Sequence, residues 1–461
     1  MPSWSRLISW LPVHPLLLFP LLGMAAVFLL LCFLGQVPIA YNIRNLLVRW
    51  RITLLTALAF TLVVGLLVVM LAFVNGMYKL TDGSGQPGNV IILSDGASDE
   101  LFSNLGFGDA TDVLNKINPD HRPRLEHDGK GTVLLSKEVY LVANQPVPSS
   151  PRDRPRRRFI QIRGVEDPTL AGEVHDIQLL PGGSWFSPAG VGQLAGADKK
   201  SADSAIQCVV GEGIAKELGR DQGKESLEVN DVFALGPDQD AEDLRARKWI
   251  VVGIMKTTCS TFASEVWAKH ALVGKMFGKE NYTSLTLRTK DADSASAVAK
   301  DITEKAKLKA LPETEYYSSL GETNKQFLAS FLFVAVFMAI GGIFGVMNTM
   351  FAAISQRIKD IGVLRILGFK RRQILVSFFL ESVAIALIGG LLGCALGFLA
   401  NGWEATSIIS GGNAGKTVIF KLIVGANTIA AGLLFTLVMG TLGGLIPALS
   451  AMRLRPLESL R

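Results

Sequence analysis

Five stretches of this chain are long, apolar and nearly free of charge, and each is suited to crossing a lipid bilayer. About 20 consecutive apolar residues wound as a helix cover the ~30 Å hydrocarbon layer. Residues 15–35, 52–74, 327–351 and 423–449 contain no Asp, Glu, Lys or Arg, and residues 374–400 contain only Glu381. Hydrocarbon offers no partner to a backbone N–H or C=O, so such stretches are confined to helices. The fold class that follows is an α-helical transmembrane bundle. The spans at 52–74, 327–351, 374–400 and 423–449 form its core, and 15–35 is an extra N-terminal span. Pro12, Pro15 and Pro20 crowd the start of that first stretch, which therefore also reads as an uncleaved anchor or an interfacial hairpin. A cleaved signal is disfavoured by its length and by the poor site at Gly35-Gln36-Val37.

Basic residues set the orientation, because cytoplasmic loops carry the excess of Lys and Arg. Arg44, Arg49 and Arg51 precede the second stretch. Arg357, Lys359, Arg365, Lys370, Arg371 and Arg372 fill the loop 352–373, and Arg453, Arg455 and Arg461 the tail. With five spans all three groups fall on one side, which puts the N-terminus and the region 76–325 outside. This topology accounts for the net charge of +6, so no nucleic-acid partner is needed. The remaining basic run, Arg152 to Arg158, lies in a Pro- and Ser-rich linker and reads as a solvated loop.

Residues 76–325 have the composition of an ordinary globular domain. Short β-type runs at 89–93, 132–135, 159–163, 206–210, 248–255 and 284–288 alternate with Gly- and Asp-rich turns. Helical spacing appears at 212–218 and 292–307, so the domain reads as α+β, and the Pro/Gly-rich stretch 181–197 suggests two subdomains or a long excursion. No metal-ligand spacing links His121, His127, His175 and His270, and no nucleophile motif is present. The acids are scattered and read as solvated side chains. No catalytic residue, cofactor site or metal site is assigned. Of the cysteines, Cys32 and Cys394 sit in spans, whereas Cys208 and Cys259 share the globular region and their pairing is left open. The run Gly411 to Thr417 imitates a phosphate-binding loop, but Ser410 stands where the first glycine is required, so it reads as a turn.

The loop 352–373 is the most patterned segment. Ile358, Ile361, Leu364, Arg365 and Leu367 recur at helical spacing and predict an apolar stripe, flanked by Arg357, Lys359 and Asp360. Such a stripe fits either a partner's groove or a lipid surface. Gly362 and Gly368 favour the groove, since glycine weakens a helix by about 1 kcal/mol and marks a close approach or a break. In the spans, Gly389, Gly393 and Gly397, and likewise Gly440 and Gly444, repeat every fourth residue and permit close helix packing within one subunit or between two. Glu381 reads as an interfacial or paired carboxylate.

Three segments together resemble the MacB/FtsX-type ABC transporter permeases. Asn42 to Arg51 followed by LLTALAFTLVVG resembles that family's amphipathic helix and first core span; Gln356 to Gly368 followed by Lys370 to Ile374 resembles its coupling segment; Gly444 to Ala448 with Pro456 to Arg461 resembles its C-terminal signature. The globular region is similar to the MacB-like periplasmic core domain through Gly164-Val165, Gly183 to Phe186, Val210 to Ala215 and Trp249 to Gly253. The resemblance implies an N-terminal extension at 1–38, a first core span within 39–75, a periplasmic domain at 76–325 and an FtsX-like permease domain at 326–461. It also implies a multi-pass protein of the inner membrane that has no ATP site of its own. A separate cytosolic ABC ATPase would grip Arg357, Lys359, Asp360, Ile361, Gly362, Leu364, Arg365, Gly368, Arg371 and Arg372. A second permease subunit, membrane lipid, and a periplasmic adaptor or substrate protein are the further partners. The expected function is mechanotransmission: ATP hydrolysis by the partner moves the periplasmic domain to export or extract a lipoprotein, lipid, peptide or drug. Regulation of a wall hydrolase and an ATP-independent receptor or adhesion protein are the alternatives. Charge reversal at Arg357 and Arg365 is expected to uncouple the ATPase without affecting insertion.

Overall fold

The computed structural model describes residues 14–34, 44, 46–48, 50–147, 157–193, 204–236, 247–256, 260–410 and 415–453. The chain divides into two compact units. A helical unit comprises Met1–Asn75, Gln326–Trp403 and Lys421–Arg461; a globular unit comprises Gly76–Lys325 and Glu404–Phe420.

The chain begins with α1 (Pro15–Leu34) and α2 (Trp50–Asp82). There follow β1 (Asn89–Leu93), α3 (Asp109–Lys116), β2 (Leu135–Pro146), β3 (Arg157–Val165), α4 (Pro168–Val174), β4 (Gln178–Leu179), β5 (Val191–Gln193), β6 (Ser204–Gly211) and α5 (Glu212–Asp221). Next come β7 (Val232–Leu235), β8 (Arg247–Lys256), β9 (Glu265–Lys269), α6 (His270–Phe277), β10 (Ser284–Arg288), α7 (Ala292–Ala306), β11 (Lys309–Pro312) and α8 (Glu313–Leu320). The last elements are α9 (Glu322–Gln356), α10 (Ile358–Ile366), α11 (Arg371–Phe398), the pair β12 (Glu404–Ser410) and β13 (Gly415–Lys421), and α12 (Ala426–Arg453).

The globular unit is built on one mixed sheet in the order β11-β1-β10-β2-β3-β9-β6-β8-β4, with β5 on β6 and β7 on β8. The long antiparallel pairing of β2 with β3, from Glu138 opposite Val165 to Pro146 opposite Arg157, makes the sheet continuous between its two halves. The stretch at 181–193 is accordingly a loop that contributes β5 to this sheet. Local sequence explains the covering helices. Asp291 caps α7 by accepting from Ser294 N at 2.7 Å, and Ala295, Val298, Ala299 and Ile302 lie buried on the face directed at the sheet. Five of the six strands read from the sequence coincide with β1, β3, β6, β8 and β10, whereas 132–135 reaches only the start of β2. Cys208 is a buried free thiol, and Cys259 lies outside the described residues.

Several of the scattered acids are not solvated. Glu100, Glu138, Glu265 and Glu313 are each at most 1% exposed and gather around two buried cations. Arg163 on β3 donates to Glu265 at 2.8 and 2.9 Å, to Glu100 at 2.8 Å, and also to Glu138. His175 Nε2 lies 2.7 Å from Glu138 and Nδ1 3.4 Å from Glu313. Burial alone would discharge His175, but Glu138, followed by Glu313, outweighs it and holds the imidazolium up to about 10. Burial likewise works against a charged Glu138, and His175 with Arg163 overrides it, bringing the carboxyl down to about 2. Desolvation opposes the Arg163 charge, and Glu100, Glu265 and Glu138 more than offset it. Solvent does not reach this cluster, which cross-links β2, β3, β9 and the start of α8.

In the helical unit α2, α9, α11 and α12 are long and apolar enough to cross a membrane, and α1 is a shorter apolar helix. Glycines on α11 set its approach to α2. A Cβ at Gly389 would lie 2.5 Å from Ala57 O, one at Gly393 2.8 Å from Thr61 O, and one at Gly397 2.5 Å from Val68 Cγ1. Thr61 Oγ1 donates to Gly389 O at 3.1 Å across the same contact. On α12, Gly440 meets Ala386 and Gly444 meets Ser382, whose hydroxyl donates to Gly440 O at 3.0 Å. All five glycines therefore serve contacts inside this chain. Gly341 and Gly345 on α9 have nothing within 4 Å and border an apolar cavity of about 430 Å³ between α2, α9 and α12.

The hairpin β12–β13 contains the last residues of the phosphate-loop imitation, Gly415 to Thr417, as strand; residues 411–414 lie outside the described residues. It belongs to the globular unit. Glu404 pairs with Lys216 at 2.5 Å and Arg220 at 3.3 Å on α5, and Ile419 N donates to Ser264 Oγ at 2.9 Å.

Candidate functional site

The loop between α9 and α11 folds into a short helix held between two joints. At Arg357 the backbone leaves helical geometry (φ −113°, ψ 16°), ending α9 and starting α10. At the other end Gly368 takes φ +94°, a conformation open chiefly to glycine. The turn there closes with Phe369 N donating to Leu364 O at 3.1 Å and Gly368 N to Arg365 O at 3.3 Å, the pattern that commonly terminates helices. Gly368 is thus a break. Lys370 then caps α11, its N–H donating to Gln373 Oε1 at 2.6 Å.

One side of α10 is fastened to the helical unit. Ile361 is buried in a cluster with Phe60, Val346, Met350, Ile354, Ile374 and Phe378, and Gly362 is buried beside it. The opposite side is open: Val363, Ile366 and Leu367 are 48%, 64% and 70% exposed. Lys359, Lys370, Arg371 and Arg372 are exposed around them. The predicted stripe is therefore rotated. Ile361 faces inward, Leu364 is half-buried, and the exposed apolar surface consists of Val363, Ile366 and Leu367. Arg365 is half-buried and spends one nitrogen on Phe369 O at 3.2 Å, within its own turn. The side chain of Asp360 lies outside the described residues.

Arg357 is not on the open surface either. It is 3% exposed and grips Glu381 on α11 with both ends of its guanidinium, at 2.7 and 2.9 Å. The Phe378 ring lies beneath it at 5.7 Å. Charge reversal at Arg357 would set two buried carboxylates against each other, so it tests folding and not docking. The signal that pointed to this pairing was Glu381 itself, a lone acid in an apolar span. Elsewhere, among the described residues, no group of three or more His, Cys, Asp or Glu is placed to hold a metal ion.

Both units of the chain match known protein families. Residues 53–305 match the MacB-like periplasmic core domain and residues 316–456 the FtsX-like permease C-terminal domain. The chain belongs to the MacB/FtsX-type ABC transporter permeases. The Bacillus subtilis permease YknZ, itself uncharacterised, is 26% identical over 46% of this chain and 53% of its own length. An uncharacterised ABC transporter permease of Methanocaldococcus jannaschii is 30% identical over 55% of this chain and 62% of its own. The macrolide export ATP-binding/permease protein MacB of Shewanella oneidensis is 25% identical over 86% of this chain and 57% of its own length. The chain thus spans roughly half to three-fifths of these relatives. As a member of this family it is a membrane protein with a large extracellular domain.

Proposed function

We propose that this chain is a non-enzymatic permease subunit that couples ATP hydrolysis in a separate cytosolic ABC ATPase to movement of its extracellular domain. The ATPase docks on Val363, Ile366 and Leu367, with Lys359, Lys370, Arg371 and Arg372 meeting acidic groups at the rim of its groove. The observation that carries this reading is the two-sided character of α10, with one side fastened among the spans by Ile361 and the other apolar and open. Nucleotide-driven closure then moves the spans, and the movement serves export or extraction of a substrate on the outer side of the inner membrane.

Changing both Ile366 and Leu367 to Asp should remove the apolar centre of the docking face. Central interface anchors each contribute ~2 kcal/mol or more, so co-purification of the ATPase and stimulation of its hydrolysis should both fall at least ~30-fold. The variant should still insert and elute as a single species. An ATPase that binds it normally would refute the docking surface.

The N-terminal helix is proposed as a fifth span running from outside to inside. Two contacts support this. His14 N donates to Asn427 Oδ1 at 2.6 Å, at the start of α12, while Phe28 lines a cavity with Phe379, near the start of α11. A tag at residue 2 should then react with an impermeant reagent in intact spheroplasts, and protection of that tag would remove the fifth span.

A further inference from the structure

We propose that Arg357 and Glu381 are positioning residues: their paired charges pin the docking helix to α11, so that displacement of α10 is passed to that span. The transmission step rests on the docking reading above; the pin itself does not. With nine residues between two joints, α10 is too short to hold itself as a helix in isolation. Its direction has to be set by side chains. Ile361 supplies an apolar anchor, which resists withdrawal but leaves rotation about the contact open. A guanidinium held at both nitrogens by one carboxylate fixes an angle as well as a distance. The fork sits at the joint itself, since Arg357 is the residue at which the backbone departs from α9.

Glu381 lies in the third turn of α11, on the helix whose Gly389, Gly393 and Gly397 contact α2. The route is therefore short: α10 to α11 through the ion pair, and α11 to α2 through glycine contacts that leave little slack. The charges suit this task better than two apolar groups would. Both side chains are 4–5% exposed, so separating them strands a desolvated charge and the two helices move together instead.

The test uses the full chain in nanodiscs, with and without the ATPase that co-purifies with it. Glu381→Gln removes the charge and keeps the shape; Arg357→Lys keeps the charge and loses the fork. Arg357→Glu combined with Glu381→Arg restores an opposite pair. In both single variants, amide exchange across α10 should accelerate at least tenfold while exchange in the middle of α11 is unchanged. The ATPase should remain bound, and its stimulated hydrolysis should fall at least tenfold. The reversed pair should recover most of both. Unchanged exchange in Arg357→Lys, or a reversed pair no better than the single variants, overturns the pin. Faster exchange with fully stimulated hydrolysis overturns transmission through it. An ATPase that binds the Ile366/Leu367 variant normally overturns the docking surface alone, leaving the exchange result standing.

Discussion

Replacing Arg163 with Met is expected to unfold the globular unit under conditions in which the native chain stays folded. The guanidinium holds Glu100, Glu138 and Glu265, all at most 1% exposed, and methionine leaves those carboxylates facing one another without water. Breaking a buried ion pair by removing one partner costs about 3–5 kcal/mol, and Arg163 serves three partners. A domain has only about 5–15 kcal/mol of stability in total. The Trp267 indole donates to Glu265 Oε2 at 2.9 Å, so tryptophan fluorescence reports on the cluster during thermal unfolding of the full chain in detergent. Adding Glu100→Gln, Glu138→Gln and Glu265→Gln to the Met variant should recover part of the loss, because amides do not repel. A Met variant that melts within about 2 °C of the parent would show that the cluster contributes little.

The same cluster sets a pH dependence with two limbs. His175 is held up to about 10 against an ordinary value of 6.5, so its contribution is complete below 6.5 and is lost as pH rises through 10. Glu138 is held down to about 2 against 4.5, so its contribution is complete above 4.5 and is lost as pH falls through 2. Between these limits both are in force. Subtracting the melting profile of a His175→Asn variant from that of the parent should leave a difference that shrinks on the alkaline side. A difference independent of pH from 6 to about 10 would mean that His175 is not held charged.

The four long apolar helices α2, α9, α11 and α12 were legible because their signal is a near-absence of charge over more than twenty residues. Strands such as β1 and β10 were legible through runs of branched apolar residues, NVIIL and SLTLR. β9 was missed and β2 barely touched for a common reason. Their buried faces include Glu265, the first residue of β9, and Glu138, early in β2, and an acid at the start of a strand reads as a solvated turn unless its cation is known. That cation, Arg163, lies on a third strand, and only the sheet order brings the three together. The helix α10 is a different case. Ile358, Ile361, Val363, Leu364, Ile366 and Leu367 lie around most of α10, so spacing defines a helix without saying which side the bundle covers. The resemblance puts Arg357 in the coupling surface, beside the stripe; its partner stands 24 positions later, on α11.

Changing Gly389 and Gly393 together to Val is expected to separate α11 from α2 and to abolish a stable helical unit. A Cβ alone would already lie 2.5 Å from Ala57 O and 2.8 Å from Thr61 O, and a backbone carbonyl cannot swing aside as a side chain can. Overpacking costs about 1–3 kcal/mol at each site, and neighbouring sites on one contact need not add. Separation would also break the bond from Thr61 Oγ1 to Gly389 O, leaving the hydroxyl only its bond to Ala57 O in its own helix. Gel filtration should show aggregation in place of a single species, and a monodisperse variant with unchanged melting would refute the contact. Gly440→Val and Gly444→Val should act similarly through Ala386 and Ser382. Gly341→Ala and Gly345→Ala are the controls, since a Cβ at either would meet no atom beyond its own helical turn within 4 Å and alanine favours a helix. They should leave the melting temperature unchanged.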